Sequence, residues 1–201
     1  MTVVGLTGNL ASGKSEAAQV FKKLGAKIID ADALAKKLIQ KGTPLYKAML
    51  KIFGRGFLDK NKDFDRRKLA WHVFTHPRKL KKLNTLIHPG VILEVYKAIE
   101  KEKDKKGLLV LDVPLLFESR MEKIVDTTVV VSSSQKALLA RAAKKGVPAG
   151  LAKKILASQW PLPKKEKKAD CVIENNGTLA ELKIQVKKVY DRIIQNEKFK
   201  M

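Results

Sequence analysis

Residues Gly8-Asn9-Leu10-Ala11-Ser12-Gly13-Lys14-Ser15 fit the pattern G-x-x-x-x-G-K-S/T, and their flanks are the ones that pattern needs. An apolar run, Val3–Leu6, precedes them, and Ala17, Val20, Phe21 and Leu24 recur after them at helical spacing. A strand, a glycine-bounded loop and a helix in that order leave little freedom of fold. Gly8 and Gly13 permit backbone conformations that a β-carbon obstructs, so successive amide N–H groups turn inward on an anion. The helix adds its positive N-terminal end. Lys14 supplies a mobile charge for the β- and γ-phosphates of a nucleotide, and the Ser15 hydroxyl is placed to ligate Mg²⁺. The octapeptide thus predicts binding of a nucleoside triphosphate and leaves the acceptor open.

Four more apolar runs have strand character: Lys27–Ile29, Leu108–Asp112, Thr127–Val131 and Cys171–Ile173. Helical patterns separate them, and near the end Leu179, Leu182, Val186, Val189 and Ile193 trace one stripe. Short strands alternating with helices, apolar on both faces, predict a parallel sheet covered on both sides. The expected class is α/β, a three-layer P-loop core with a five-stranded parallel sheet. Residues 33–106 read as mostly helical, with segments Leu45–Phe53, Arg66–Phe74, Leu80–Ile87 and Val91–Lys101 and a loop at Gly54–Phe64. That is too long for one crossover helix and predicts an inserted lobe. The core is then 1–32 with 107–201.

Composition narrows the partners. Lys and Arg number 42 against 20 Asp and Glu, a formal charge of +22, which attracts polyanions. The lysine clusters Lys79–Lys82, Lys101–Lys106 and Lys164–Lys168 lack interleaved aromatics, which argues against single-strand recognition and for no obligate nucleic acid. With 45% hydrophobic residues the chain has material for a core. Its one cysteine, Cys171, excludes an internal disulfide and a cysteine-rich zinc site. The longest apolar run, Leu108–Phe117, is broken by Asp112 and Pro114, and the N-terminus has no leader pattern. The expectation is a soluble cytoplasmic protein with no membrane segment, a monomer or weak homo-oligomer.

Chemistry in an open parallel sheet gathers beyond the carboxyl ends of the strands. Asp30 and Asp32 follow the second strand and, on extended backbone, would point to one side. One is expected to cap the next helix and the other to accept a proton from a substrate hydroxyl; Asp32 is favoured as the base. Asp112 ends Leu109-Val110-Leu111-Asp112, the form of a Walker B strand, and is read either as a Mg²⁺ ligand or as a loop carboxylate. Pro89 biases His88 toward extended backbone at an element boundary, where it is either a donor to phosphate or ribose or a structural histidine. His72 and His76 form no metal-ligand spacing with it.

Together these motifs resemble the dephospho-CoA kinase family. The resemblance rests on Val4-Gly5-Leu6-Thr7-Gly8 into Ser12-Gly13-Lys14-Ser15, on Leu24-Gly25-Ala26 and on Ile28-Ile29-Asp30-Ala31-Asp32. It continues through Ile87-His88-Pro89, Asp112-Val113-Pro114-Leu115-Leu116-Phe117-Glu118, Ala169-Asp170 and Val172-Ile173-Glu174-Asn175-Asn176-Gly177. It implies transfer of the ATP γ-phosphoryl to the ribose 3′-hydroxyl of dephospho-CoA, with Mg²⁺ as counter-charge. Asp32, Lys14 and Arg141 would be the catalytic residues. Gly8, Ala11, Ser12, Gly13, Lys14, Ser15 and Glu16 would bind ATP, and Asp32, His88, Pro89, Asp112 and Leu115 the acceptor. Ser15 and Asp112 would hold the metal. The insertion 33–106 would bind the acceptor, and a mobile lid would lie near 132–168. Asn9 and Ala11 stand where the family usually has glycine, and Glu16 where it has threonine. The lid segment offers Arg141, Lys144 and Lys145 where arginines are common, and lysine lacks the bidentate fork. Two rival readings remain: a P-loop kinase of nucleosides or nucleotides, and a basic nucleic-acid-binding protein that uses ATP as a switch.

Overall fold

The structure, a computed structural model, describes residues 1–198. Its sheet has five strands, β1 (Thr2–Thr7), β2 (Lys27–Asp30), β3 (Leu108–Asp112), β4 (Thr127–Ser132) and β5 (Cys171–Glu174). All pairs are parallel, in the order β2-β3-β1-β4-β5. The five expected strands are present, each extended by at most a residue at either end. Every residue of β3 is buried, and β1 is buried from Val3 onward. A central strand covered on both faces has no polar side to show, which is why these runs lack alternation.

The helices are α1 (Lys14–Lys23), α2 (Ala31–Leu38), α3 (Pro44–Phe53), α4 (Arg66–Thr75), α5 (Pro77–Glu102), α6 (Gln135–Lys144), α7 (Ala149–Ser158), α8 (Leu162–Lys168) and α9 (Leu179–Lys198). The chain divides into two compact units, residues 1–30 with 97–201, and residues 31–96. In the first, Val4, Leu6, Val110, Val129, Val131 and Ile173 of the sheet pack with Ala17 and Phe21 of α1 and Leu182, Val186 and Ile193 of α9. The apolar stripe of α9 therefore starts at Leu182; Leu179, its first residue, is 51% exposed. A second cluster joins Val130 to Phe117, Leu138 and Leu162, with Trp160 against it. Among the described residues no helix is long and apolar enough to cross a membrane.

The helical unit has its own core of Tyr46, Met49, Phe53, Phe64, Leu69 and Val73, with Leu80, Leu83, Leu86 and Ile87 packed on it. Thr43 caps α3 by accepting the Tyr46 N–H, and Asp65 caps α4 by accepting those of Arg67 and Lys68. The stretch Gly54–Phe64 is not a plain loop, since it holds a 3-10 turn at Arg55–Phe57 and a bridge between Leu58 and Phe64.

Two local expectations fail. Leu80–Ile87 and Val91–Lys101 are one helix, α5, so His88 and Pro89 sit inside it rather than at a boundary. Proline there removes one helical donor, yet packing overrides the local preference. Val91 and Val95 just beyond are buried, and a Cβ on Gly90 would lie 3.2 Å from Leu38 Cδ1. Likewise, Asp30 is the last residue of β2 while Asp32 lies in the first turn of α2. The two carboxylates do not share an extended backbone, so the period-two argument does not apply to them.

Candidate active site

The loop after β1 is built by close approach. A Cβ on Gly8 would stand 2.6 Å from the Val131 carbonyl oxygen and overlap Ser12 Oγ. Gly13, the N-cap of α1 at φ 96°, has the Asn175 amide where a Cβ would go. Ala11 adopts φ 59°, a left-handed conformation, at a position without glycine's freedom. The Asn9 carbonyl accepts the Ser12 N–H at 3.0 Å and closes the turn. The first backbone bond of α1 runs from the Ala17 N–H to the Gly13 carbonyl, so the amides of Lys14, Ser15 and Glu16 have no acceptor within the helix. Ser15 and Glu16 are exposed there. The Ser12 hydroxyl is buried with no hydrogen-bond partner among the described residues. Amide donors without helical acceptors, at the N-terminus of a helix entered from a glycine-bounded loop, suit phosphate oxygens.

At the carboxyl edge of the sheet, Asp112 of β3 is in register with Leu6 of β1 and with Asp30 of β2. Lys14 Nζ donates to Asp112 Oδ1, and both side chains are largely buried. The phosphate-loop lysine and the Walker B carboxylate are thus side by side. Leu115 is half-buried in the turn after β3, its carbonyl accepting the Ser119 N–H at 2.9 Å.

Arg141 lies in α6, where its guanidinium donates to Ser133 Oγ at 2.8 Å and to the Asn175 carbonyl at 2.7 Å. Asn175 Nδ2 in turn donates to the Ser12 carbonyl at 2.7 Å. Arg141 therefore reaches the phosphate loop through Asn175. In the helical unit, Asp32 is exposed in the first turn of α2, and His88 is half-buried in α5 beside the exposed Pro89. Burial lowers the His88 pKa from its usual value and favours the neutral ring.

Several residues that support the loop carry no role in the sequence reading. Leu10 N–H donates to Gln159 Oε1 at 3.0 Å, and Asn9 Nδ2 to the Trp160 carbonyl at 3.1 Å. Behind them, Glu118 Oε1 accepts the Trp160 N–H at 2.8 Å and pairs with Lys165 Nζ at 2.9 Å. Lys165 is fully buried; burial lowers its pKa, Glu118 opposes that, and the like charge of Lys14 adds to it. In the sequence Glu118 stands out only as the end of Asp112-Val113-Pro114-Leu115-Leu116-Phe117-Glu118, and Lys165 only as one of the cluster Lys164–Lys168.

Comparison with known proteins gives a consistent set of likenesses. The family model for dephospho-CoA kinase matches residues 2–181. A dephospho-CoA kinase of Aquifex aeolicus is 38% identical over 196 residues, 98% of this chain and 100% of the relative. Among solved structures, TT1252 from Thermus thermophilus superposes with a TM-score of 0.76 at 30% identity, covering 95% of this chain and 97% of the other. A dephospho-CoA kinase from Campylobacter jejuni gives 0.67 at 28% identity, covering 97% and 98%.

Proposed function

The chain belongs to the dephospho-CoA kinase family, the enzymes of the final ATP-dependent step of coenzyme A biosynthesis, and from that premise we propose how its residues divide the work. ATP takes the loop Gly8–Ser15 together with the first turn of α1, including Glu16. Lys14 exchanges Asp112 for the β- and γ-phosphates. Ser15 and Asp112 would hold Mg²⁺, and the ion would supply positive charge against the phosphate oxygens. The acceptor is the ribose 3′-hydroxyl of dephospho-CoA, and the residues assigned to it are Asp32, His88, Pro89, Asp112 and Leu115. Asp32 takes the hydroxyl proton as that oxygen bonds to the γ-phosphorus and the bond to the β-γ bridging oxygen breaks, releasing ADP. Arg141 adds positive charge beside the loop, and the part of 132–168 that is not packed into the core closes over the nucleotide and keeps water out.

The Lys14–Asp112 pair carries this reading, because it brings the phosphate-directed charge at the start of α1 against the metal-directed carboxylate at the end of β3. Asp32 is supported by its place two residues after Asp30, which ends β2 in register with Asp112. The test is ADP release from ATP·Mg²⁺ with and without dephospho-CoA, with the product identified by mass. Acceptor-dependent turnover is expected. Equal ADP release without acceptor would leave the nucleotide site standing and remove the acceptor assignment. In the same assay Asp32→Asn should retain ATP affinity while kcat falls roughly a hundredfold or more; near-normal turnover would remove Asp32 as the base.

A further inference from the structure

Two routes of hydrogen bonds lead from the phosphate loop to a single buried ammonium. On the first, the Thr7 hydroxyl, fully buried at the end of β1, donates to the Pro114 carbonyl at 3.1 Å. Lys165 Nζ donates to that same carbonyl at 3.1 Å. On the second, Asn9 Nδ2 donates to the Trp160 carbonyl, the Trp160 N–H donates to Glu118 Oε1, and Glu118 Oε1 pairs with Lys165 Nζ. The neighbouring Gln159 holds the Leu10 N–H. One ammonium thus lies at the root of contacts to the start of the loop and to its crest.

This is a poor arrangement for stability alone. Lys165 is 0% exposed, and taking an ion pair out of water costs enough that an apolar pair of similar volume commonly does as well. Glu118 Oε2 is also buried with no hydrogen-bond partner among the described residues. What charges supply that methyl groups do not is direction: each contact fixes an angle as well as a distance. The stacking of Phe117 on Trp160, with ring centroids 6.2 Å apart and planes within 9° of parallel, holds the other side of the same link. Lys164 covers the indole at 3.7 Å.

We propose that Lys165 and Glu118 are positioning residues for ATP, which set the backbone of Thr7–Leu10 through Pro114 and Trp160 without touching the nucleotide. The proposal rests on the reading of Gly8–Ser15 as the ATP site. It makes the effect selective, since the groups displaced face the nucleotide loop and none of them is in the helical unit.

Three variants of the full chain test it, with Kd for ATP by calorimetry, KM for each substrate, kcat and Tm. Lys165→Met alone strands the Glu118 charge, so the informative variant is Glu118→Gln/Lys165→Met, which removes both charges at nearly constant volume. It should keep its Tm within a few degrees of the parent while Kd and KM for ATP rise about tenfold and KM for dephospho-CoA changes less than twofold. Asn9→Ala, which cuts the second route at the loop, should weaken ATP binding as well, and combining it with the double variant should add less than its effect alone. A folded double variant with parental ATP affinity would overturn the proposal. So would equal rises in both KM values, or full additivity with Asn9→Ala. A parent that binds no ATP at all would remove the nucleotide reading and this proposal with it.

Discussion

The phosphate loop and the helical unit are held by opposite means. In the loop nearly every constraint is a backbone angle or a directed polar contact: Gly8 and Gly13 admit no β-carbon, Ala11 is left-handed, and Asn9, Leu10 and Ser12 are each bonded to a distant residue. In residues 31–96 the constraints are apolar volume and ordinary helix caps, around Tyr46, Met49, Phe53 and Phe64. That unit also leaves Trp71, Leu93 and Tyr96 about half exposed. A region fixed by angles should fail at single atoms and keep its stability. A region fixed by volume should lose stability in proportion to the atoms removed and keep its local geometry.

The largest effect is expected where one atom meets the most constraint. Gly13→Ala puts a methyl group into the Asn175 amide, which is itself held by the Ser12 carbonyl, and asks alanine to adopt φ 96°. We expect ATP binding and turnover to fall by at least about a thousandfold, roughly 4 kcal/mol, with a much smaller change in Tm. Calorimetry with ATP and a thermal melt decide it. A variant that loses Tm in step with binding would erase the contrast between the two regions. The next effect lies in the helical unit. Met49 is fully buried at the centre of its cluster, and Met49→Ala should cost about 2–5 kcal/mol of stability by leaving a cavity. The Kd for ATP of the folded fraction should be unchanged. A tenfold weaker Kd would mean that the helical unit sets the geometry of the loop.

The same contrast explains what could be read from the chain. The loop announces itself because its requirements are local: two glycines, a lysine and a serine within eight residues, between a strand and a helix. The strands are legible because burial on both faces leaves unbroken runs such as Leu108–Asp112, and Asp112 is found by standing at the end of one. What lies behind the loop is not legible, because its partners are far apart in sequence. Asn175 and Ser12 are separated by 163 residues, and Lys165 and Pro114 by 51. A lysine in Lys164–Lys168 looks like solvated surface, and only the fold reveals that one of them is fully buried. His88-Pro89 misleads for a related reason. Local sterics point to a break, and the burial of Val91 and Val95 within the next two turns keeps α5 continuous.

The smallest effect sharpens the comparison most, because it separates strain from support within the loop itself. Ala11 holds φ 59°, where a β-carbon costs an L-residue about 1–2 kcal/mol relative to glycine. Ala11→Gly removes that strain, but it also frees the unfolded chain by about 0.4–1 kcal/mol. The two terms oppose each other, so the net change runs from nothing to a gain of about 1.5 kcal/mol, and Tm should rise by about 0–6 °C. Binding is the more telling readout. Glycine can leave the left-handed region, so the loop keeps its shape only if something other than the Ala11 side chain holds it. The bonds from Asn9 to Trp160, from Leu10 to Gln159 and from Asn175 to Ser12 flank Ala11 on both sides and do not involve its methyl group. Kd for ATP should therefore stay within about twofold of the parent, about 0.4 kcal/mol. A tenfold loss would show that the residue's own conformational restriction, and not the buttress around it, fixes the backbone on which the phosphates rest.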